Sequence, residues 1–110
     1  MSAEHDMTES TTAATRADYT LQLIADLHAA YGKRVELDIT DQGGARWLTL
    51  SHSTPTDGTH GLAVGFWDDG THTMASDGAR VELNEATKRD PLAVLVAVRM
   101  FLHKYGRGPR

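Results

Sequence analysis

The sequence has no cysteine, only three prolines and few aromatic residues, which make up 6% of its 110 residues. Without cysteine the chain can form neither a disulfide framework nor a thiolate metal site, so disulfide-stapled secreted domains are excluded. It also lacks a long apolar run, because the longest, residues 92–98, is far below the roughly 20 residues of a membrane span. The acidic N-terminus has neither the basic nor the apolar region of a signal peptide. We therefore expect a cytoplasmic protein without membrane association.

Clustered basic residues are absent too, and the formal net charge is −4. Affinity for phosphate backbones requires clustered Lys and Arg, so we expect no nucleic-acid partner. The composition, with 40% hydrophobic and 24% charged residues, is that of an ordinary globular domain. Its length leaves room for one domain.

Domain boundaries follow from local composition. Residues 1–14 hold few sizeable apolar groups, too few to offset the entropy cost of ordering, and are predicted to form a disordered tail. A single α+β domain is predicted over residues 15–106, and residues 107–110 are predicted to form a flexible C-terminus.

Two segments carry helical signals. Thr15 is a suitable N-cap and Gly32 a suitable C-terminal stop, which predicts a first helix over residues 16–31. Asp90-Pro91 is an N-cap followed by proline at the first helical position, and Gly106 ends the second helix after Tyr105. The apolar residues expected on one face of the first helix are Leu23, Ile24, Leu27 and Tyr31.

Between the helices, apolar and polar residues alternate with the period of a half-buried strand. A three-residue turn at Asp68-Asp69-Gly70 places Phe66 opposite His72, which keeps the apolar faces of the two strands together. A two-residue Asp77-Gly78 turn then starts the fifth strand, whereas residues 52–60 are predicted to form a loop. The inward-facing set is Val35, Leu37, Ile39, Leu48, Leu50, Leu62, Val64, Phe66, His72, Met74, Val81 and Leu83, with Met74 opposite Val81 and His72 opposite Leu83.

This pattern predicts a two-layer α+β fold. The sheet is a five-stranded antiparallel meander, and the N- and C-terminal helices pack on its one apolar face, giving the order α-β-β-β-β-β-α.

Histidines offer one candidate chemistry. His52, His60 and His72 flank the predicted middle hairpin with Asp57 nearby, which would suit a small metal-dependent hydrolase. Their spacing, however, matches none of the local patterns that mark zinc sites. We therefore expect no catalytic residues, no metal and no cofactor, and keep the hydrolase as an alternative.

The outward sheet face offers a second candidate. It carries Trp47 and Thr49 on the second strand and Trp67 on the third, beside the acidic turn Asp68-Asp69. Tryptophan is enriched at binding hot spots, and exposed aromatic patches mark partner sites. Three interpretations remain open: a partner-binding surface, a homodimer interface, or rings covered by the tail or the 52–60 loop.

The strand Gly61–Trp67 enters the turn Asp68-Asp69-Gly70, and the chain closes with a helix running through Phe101-Leu102 into Gly106-Arg-Gly-Pro109. In this order of elements the chain resembles the small actinobacterial immunity proteins found beside polymorphic deaminase toxins. Those proteins commonly close with a Phe-Leu-x-x-Gly-x-x-Pro-like segment. Here Gly106 stands four residues after Leu102, and no tryptophan follows the proline.

The resemblance implies a non-catalytic antidote that occludes the active site of a toxin and has neither cofactor nor substrate. The leading hypothesis is accordingly a small non-enzymatic protein-binding domain of the immunity or inhibitor type. It would use Trp47, Trp67, Thr49, Asp68 and Asp69 against another protein, or against a second copy of itself. A third alternative is an oligomerising structural or accessory subunit of a phage or a secretion system.

Overall fold

Alternating residues between positions 36 and 81 form five antiparallel strands that are paired in sequence order. The computed structural model describes residues 2–56 and 58–106, with side chains from residue 17 onward. A helix precedes the sheet and another follows it, so the predicted α+β meander is confirmed. The elements are α1 (Ser2–Tyr31), β1 (Glu36–Gln42), β2 (Ala45–Thr54), β3 (Gly58–Trp67), β4 (His72–Ser76), β5 (Ala79–Val81), a 3₁₀ turn (Thr87–Arg89), α2 (Pro91–Phe101) and a π-helical turn (Leu102–Gly106).

Turn chemistry sets the strand register. Gly43 and Gly44 both have positive φ angles, 63° and 84°, and they form the two-residue turn that joins β1 and β2. The reversal at Asp68–Gly70 pairs Phe66 with His72, as the sequence predicted. The Asp77-Gly78 turn pairs Met74 with Val81, which is also confirmed.

Two strand ends differ from the sequence-based prediction. Residues 52–60 are not one long loop, because β2 continues to Thr54 and β3 begins at Gly58. Conversely, β5 ends at Val81, so the predicted pairing of His72 with Leu83 is wrong. The chain turns away after this point because the Asn84 side-chain oxygen accepts hydrogen bonds from the backbone N–H groups of Ala86 and Thr87.

One apolar core joins both helices to the same sheet face. The first helix buries Leu21 and Ile24, while Tyr31, predicted on its apolar face, is exposed. Ile39, predicted inward, is also exposed, because it lies on the edge strand β1. The fully or nearly buried residues of this core are Leu21, Ile24, Val35, Leu48, Leu50, Leu62, Val64, Met74, Val94, Val98, Phe101 and Leu102.

Local signals fix the ends of the second helix. The Asp90 carboxylate accepts a hydrogen bond from the Leu92 N–H at 3.0 Å, which confirms the predicted N-cap, and Pro91 occupies the first turn. At the other end Gly106 lies against the backbone of Tyr31, where a side chain would collide with the carbonyl oxygen. This contact fastens the end of the chain's last helical turn to the end of α1.

The first helix begins at Ser2 and not at the predicted residue 16. Ala, Glu and Met in this stretch have high helix propensity, which is compatible with its continuation. The predicted disordered tail, residues 1–14, stays a prediction, because residue 1 and the side chains through residue 16 lie outside the described part. The predicted flexible C-terminus, residues 107–110, lies outside it as well. Neither helix, over the residues described, has the length and apolar character required to cross a membrane.

Candidate functional site

Strand parity places both tryptophans on the face of the sheet that points away from the helices. Leu48, the next residue along β2, pairs with Val64, and both are buried in the core. Because neighbouring side chains of a strand point to opposite faces, Trp47 points away from the core. Neither indole belongs to the core. We call this surface the tryptophan face; it comprises Trp47, Thr49, Ala63, Gly65, Trp67, Thr73 and Ala75.

The two indoles hold each other in a defined arrangement. Their ring centroids are 6.4 Å apart and their planes meet at 78°, an edge-to-face contact. Trp47 Nε1 donates to the Gln42 carbonyl oxygen, and Trp67 Nε1 donates to Thr73 Oγ1, both at 3.2 Å. With the N–H groups engaged inside the domain, it is the ring surfaces that remain for a ligand.

Small residues continue the face beside the indoles. One row of paired residues crosses the whole sheet from Asp38 on β1 through Thr49, Ala63 and Ala75 to Arg80 on β5. The middle of this row carries short side chains, whereas its ends carry opposite charges. The surface therefore has short side chains in its middle, two large rings at one end and charged residues at both edges.

An open depression of about 730 Å³ adjoins Trp67. It lies between the start of the packed part of α1, the β1–β2 turn and Asp68. Arg46 on its wall is paired with Asp41 at 3.2 Å and with Asp18 at 2.8 Å. The hydrogen bond and the charge of Asp41, with a smaller effect from Asp18, raise the pKa of Arg46. This network ties α1 to the hairpin next to the indoles.

The two acidic residues of the β3–β4 turn differ in their roles. The Asp69 carboxylate accepts hydrogen bonds from the Thr71 hydroxyl at 2.6 Å and the Thr71 N–H at 2.9 Å. These bonds lower the pKa of Asp69 and fix the turn. Asp68 is exposed, and its carboxylate has no hydrogen-bond partner within the described residues. Of the pair, Asp68 is the one available to a ligand.

The 52–60 segment does not cover the indoles. It forms the far end of the β2–β3 hairpin, where Thr54 pairs with Gly58, whereas Ala45 pairs with Trp67 at the near end. Nine residues along a strand correspond to roughly 30 Å. Trp67 is accordingly 36% exposed. The lengths of β2 and β3 therefore exclude the 52–60 segment as a cover for the indole rings.

The three histidines of the hydrolase alternative do not come together. His52 and His60 pair across β2 and β3, but His72 pairs with Phe66, six residues from His60 along β3 and thus roughly 20 Å away. Asp57 lies outside the described residues. Within the remaining described chain, His, Asp and Glu form no group suited to holding a metal ion.

His52 and His60 instead belong to an aromatic cluster at the end of the core. Both imidazoles stack on Tyr105, with centroids 5.4 Å and 4.7 Å from its ring. His60 is also hydrogen-bonded to Asp77 at 3.2 Å, and Asp77 accepts the Gly61 N–H at 2.8 Å. These bonds lower the pKa of Asp77, the Gly61 bond contributing most. No pattern in the sequence identifies Tyr105 as their partner.

His72 is buried, as its inward position predicted, and only 4% of its surface is exposed. Desolvation lowers the pKa of His72, while a hydrogen bond to the Thr87 backbone and the charge of Asp90 partly oppose that effect. Its Nε2 atom has no hydrogen-bond partner in the described part of the chain. His72 is thus a neutral core residue rather than a member of a site with the other two.

Comparison with family models, with curated proteins and with solved structures finds no match to this chain.

Proposed function

We propose that the chain is a small non-enzymatic protein-binding domain of the inhibitor type, and that its tryptophan face docks on the partner. The observation that carries this proposal is the position of Trp47 and Trp67, two contacting indoles on the sheet face that the helices leave uncovered. A solubility requirement alone would not place two large aromatic rings there. Tryptophan is among the residues that dominate binding energy in protein interfaces.

The fixed geometry of the rings supports binding rather than incidental exposure. Each indole N–H is bonded within the domain and each ring contacts the other, so little side-chain freedom remains to be lost on association. Binding surfaces that are ordered in advance lose less entropy when they bind. Thr49, Ala63 and Ala75 beside the rings leave room for a protruding partner group.

The inhibitor class is suggested by the resemblance to immunity proteins, whose members act by covering an enzyme rather than by chemistry of their own. Asp68, exposed beside Trp67, adds a negative charge at the edge of the surface. A partner with a basic rim around its active site would complement this charge. The separation of His72 from His52 and His60 offers no support for the hydrolase alternative.

The proposal is tested by quantitative affinity capture from extract of the native host. Wild-type protein, Trp47→Ala, Trp67→Ala and the double variant serve as baits. Ile39→Ala is the matched control, because it truncates an exposed apolar residue of the edge strand β1 that lies outside the tryptophan face. Each tryptophan substitution is expected to weaken capture by about 1–3 kcal/mol. The activity of a captured enzyme should fall when wild-type protein is added.

Three results would contradict the proposal. Equal capture by all baits would show that the face is not used, and an unchanged enzyme activity would remove the inhibitor function. A concentration-dependent dimer in light scattering that the tryptophan substitutions abolish would assign the face to self-association instead.

A further inference from the structure

A second uncovered surface lies on the opposite side of the molecule, on α2. Val94, Val98 and Phe101 of this helix are buried in the core. Leu92, Val96 and Met100 are 61%, 47% and 68% exposed. They follow each other at intervals of four residues, so they form one apolar stripe about two turns long on the solvent side of the helix. We call it the α2 stripe.

The stripe is bordered by basic groups. Arg99, His103 and Lys104 join Val96 and Met100 around a shallow open depression of about 670 Å³. From Pro91 to Gly106 the sequence contains no Asp or Glu, although the chain as a whole has a net charge of −4. Neither Arg99 nor His103 forms an ion pair with any residue that the structure describes. Lys104 lies over the Tyr105 ring, with its Nζ atom 5.3 Å from the ring centroid. The α2 stripe thus has a basic border in which Arg99 and His103 lack an acidic partner among the described residues.

We propose that the α2 stripe is a docking site for an acidic amphipathic helix of a partner protein. Such a helix presents apolar anchors at intervals of three and four residues, which matches the spacing of Leu92, Val96 and Met100. Acidic residues beside its anchors would meet Arg99, His103 and Lys104. This surface is separate from the tryptophan face, and its occupation does not depend on the function proposed for that face.

A parallel pair of α2 helices from two copies would set the basic border of one copy against that of the other, so like charges would meet. In an antiparallel pair, Arg99 and Lys104 would approach the start of the other helix. There Lys88 is already paired with Glu85 at 2.8 Å, and Asp90 caps the helix. A second copy is therefore one outcome of the test below, whereas an acidic helix meets the whole basic border with opposite charge.

The test titrates ¹⁵N-labelled protein with a designed acidic peptide, followed by backbone amide shifts in NMR spectra. The peptide is an amphipathic helix of about five turns with leucine anchors and glutamate on the flanks. A second peptide carries lysine in place of each glutamate. We expect the acidic peptide to shift the amides of α2, with an affinity at least tenfold above that of the lysine peptide and reduced by added salt.

Substitutions locate the site. Met100→Glu should lower the affinity for the acidic peptide at least tenfold, and so should the double change Arg99→Glu with Lys104→Glu. Ile39→Glu introduces the same charge at an exposed apolar residue of the sheet edge and should leave the affinity unchanged. Because Met100, Arg99 and Lys104 are exposed, these variants are expected to fold, which thermal melts would verify.

Several outcomes would overturn the inference. Equal binding of the two peptides, or binding of neither, would show that the basic border does not select an acidic helix. Shifts confined to the tryptophan face would move the site elsewhere. Sedimentation with phosphatidylglycerol vesicles that Met100→Glu abolishes would assign the stripe to a lipid surface, and a dimer that Met100→Glu dissociates would assign it to a second copy.

Discussion

The indole of Trp47 covers the backbone of Gly65, its cross-strand partner: a Cβ atom built on Gly65 would lie 2.9 Å from the Cζ3 and Cη2 atoms of the ring. That distance is too short for real carbon atoms, so the ring occupies the space in which a side chain would lie. Glycine at position 65 therefore lets Trp47 lie against the sheet and keep its contact with Trp67. The geometry of the tryptophan face therefore depends on a residue that has no side chain.

Gly65→Ala should consequently displace Trp47 and lower the free energy of unfolding by about 1–3 kcal/mol, with a change in tryptophan fluorescence and near-ultraviolet circular dichroism. Gly61→Ala is the matched control, since it lies on the same strand and face and its Cβ would have only an ordinary contact, 3.6 Å from the Leu50 carbonyl oxygen. Urea unfolding measures the free energy of unfolding of both variants.

A double-mutant cycle isolates the contact. In a Trp47→Ala background the cost of Gly65→Ala should disappear, because alanine is better suited than glycine to a strand by about 0.5–1 kcal/mol. An equal cost in both backgrounds would show that Gly65 is required for some reason other than the indole.

The burial of His72 predicts a pH dependence of stability. Desolvation holds the pKa of His72 in the folded protein below its ordinary value of 6.5, so around and below that pH the unfolded chain binds more protons at this residue than the folded one does. The contribution of neutral, buried His72 to the free energy of unfolding is fully present above pH 6.5. It is lost as the pH falls toward the pKa of His72 in the folded protein. For one titrating group, the slope of the free energy of unfolding against pH cannot exceed about 1.4 kcal/mol per pH unit.

Chemical unfolding of wild type and His72→Leu between about pH 7.5 and 5.5 measures this slope. The variant is expected to have a flatter profile, and NMR titration of the His72 ring should give a pKa below 6.5. The same slope in both proteins would mean that another group is responsible.

Asp77 is predicted to stabilise the β4–β5 turn. It has a positive φ of 51°, a conformation that Asn and Asp tolerate better than most residues, and its carboxylate holds Gly61 N–H and His60. Asp77→Asn keeps the conformational tolerance and an acceptor oxygen, whereas Asp77→Ala loses both. The urea midpoint should therefore fall more for alanine than for asparagine, and the reverse order would refute the assignment.

Gly106→Ala should loosen the end of the chain's last helical turn. The new Cβ would collide with the carbonyl oxygen of Tyr31, a backbone atom that cannot move away easily. We expect a loss of about 1–3 kcal/mol in unfolding free energy. Displacement of the Tyr105 ring would also change the ring-current contribution to the NMR chemical shifts of the His52 and His60 imidazoles. Gly61→Ala serves as the control for the stability measurement only, and unchanged imidazole shifts in Gly106→Ala would contradict the packing described for Tyr105.

Much of the sheet follows from the sequence because the side chains of a strand alternate strictly. The bulged Asp68–Gly70 turn was predictable from the need to keep Phe66 and His72 on one face, and this also determined which face Trp47 and Trp67 occupy. Turn composition was less informative at residues 52–60. There Ser53 bonds Thr59 at 2.9 Å across the hairpin, so polar residues extend the strands.

Other features depend on tertiary packing that the chain does not encode locally. Which side of α2 faces the core could not be read from a helix with apolar residues on most of its circumference, so the exposure of Val96 and Met100 was not foreseen. The stacking of Tyr105 on His52 and His60 joins segments distant in sequence, and it exists only because the last helical turn packs against the end of the sheet.

The most direct test of the central claim uses the fact that Trp47 and Trp67 are the only two tryptophans of the chain. Biosynthetic labelling with 5-fluorotryptophan therefore places fluorine on the two rings of the tryptophan face and nowhere else. In the complex with the captured partner, both ¹⁹F resonances should move and lose their sensitivity to exchange of H₂O for D₂O. A complex in which both resonances keep their free positions and their full solvent sensitivity would contradict the account.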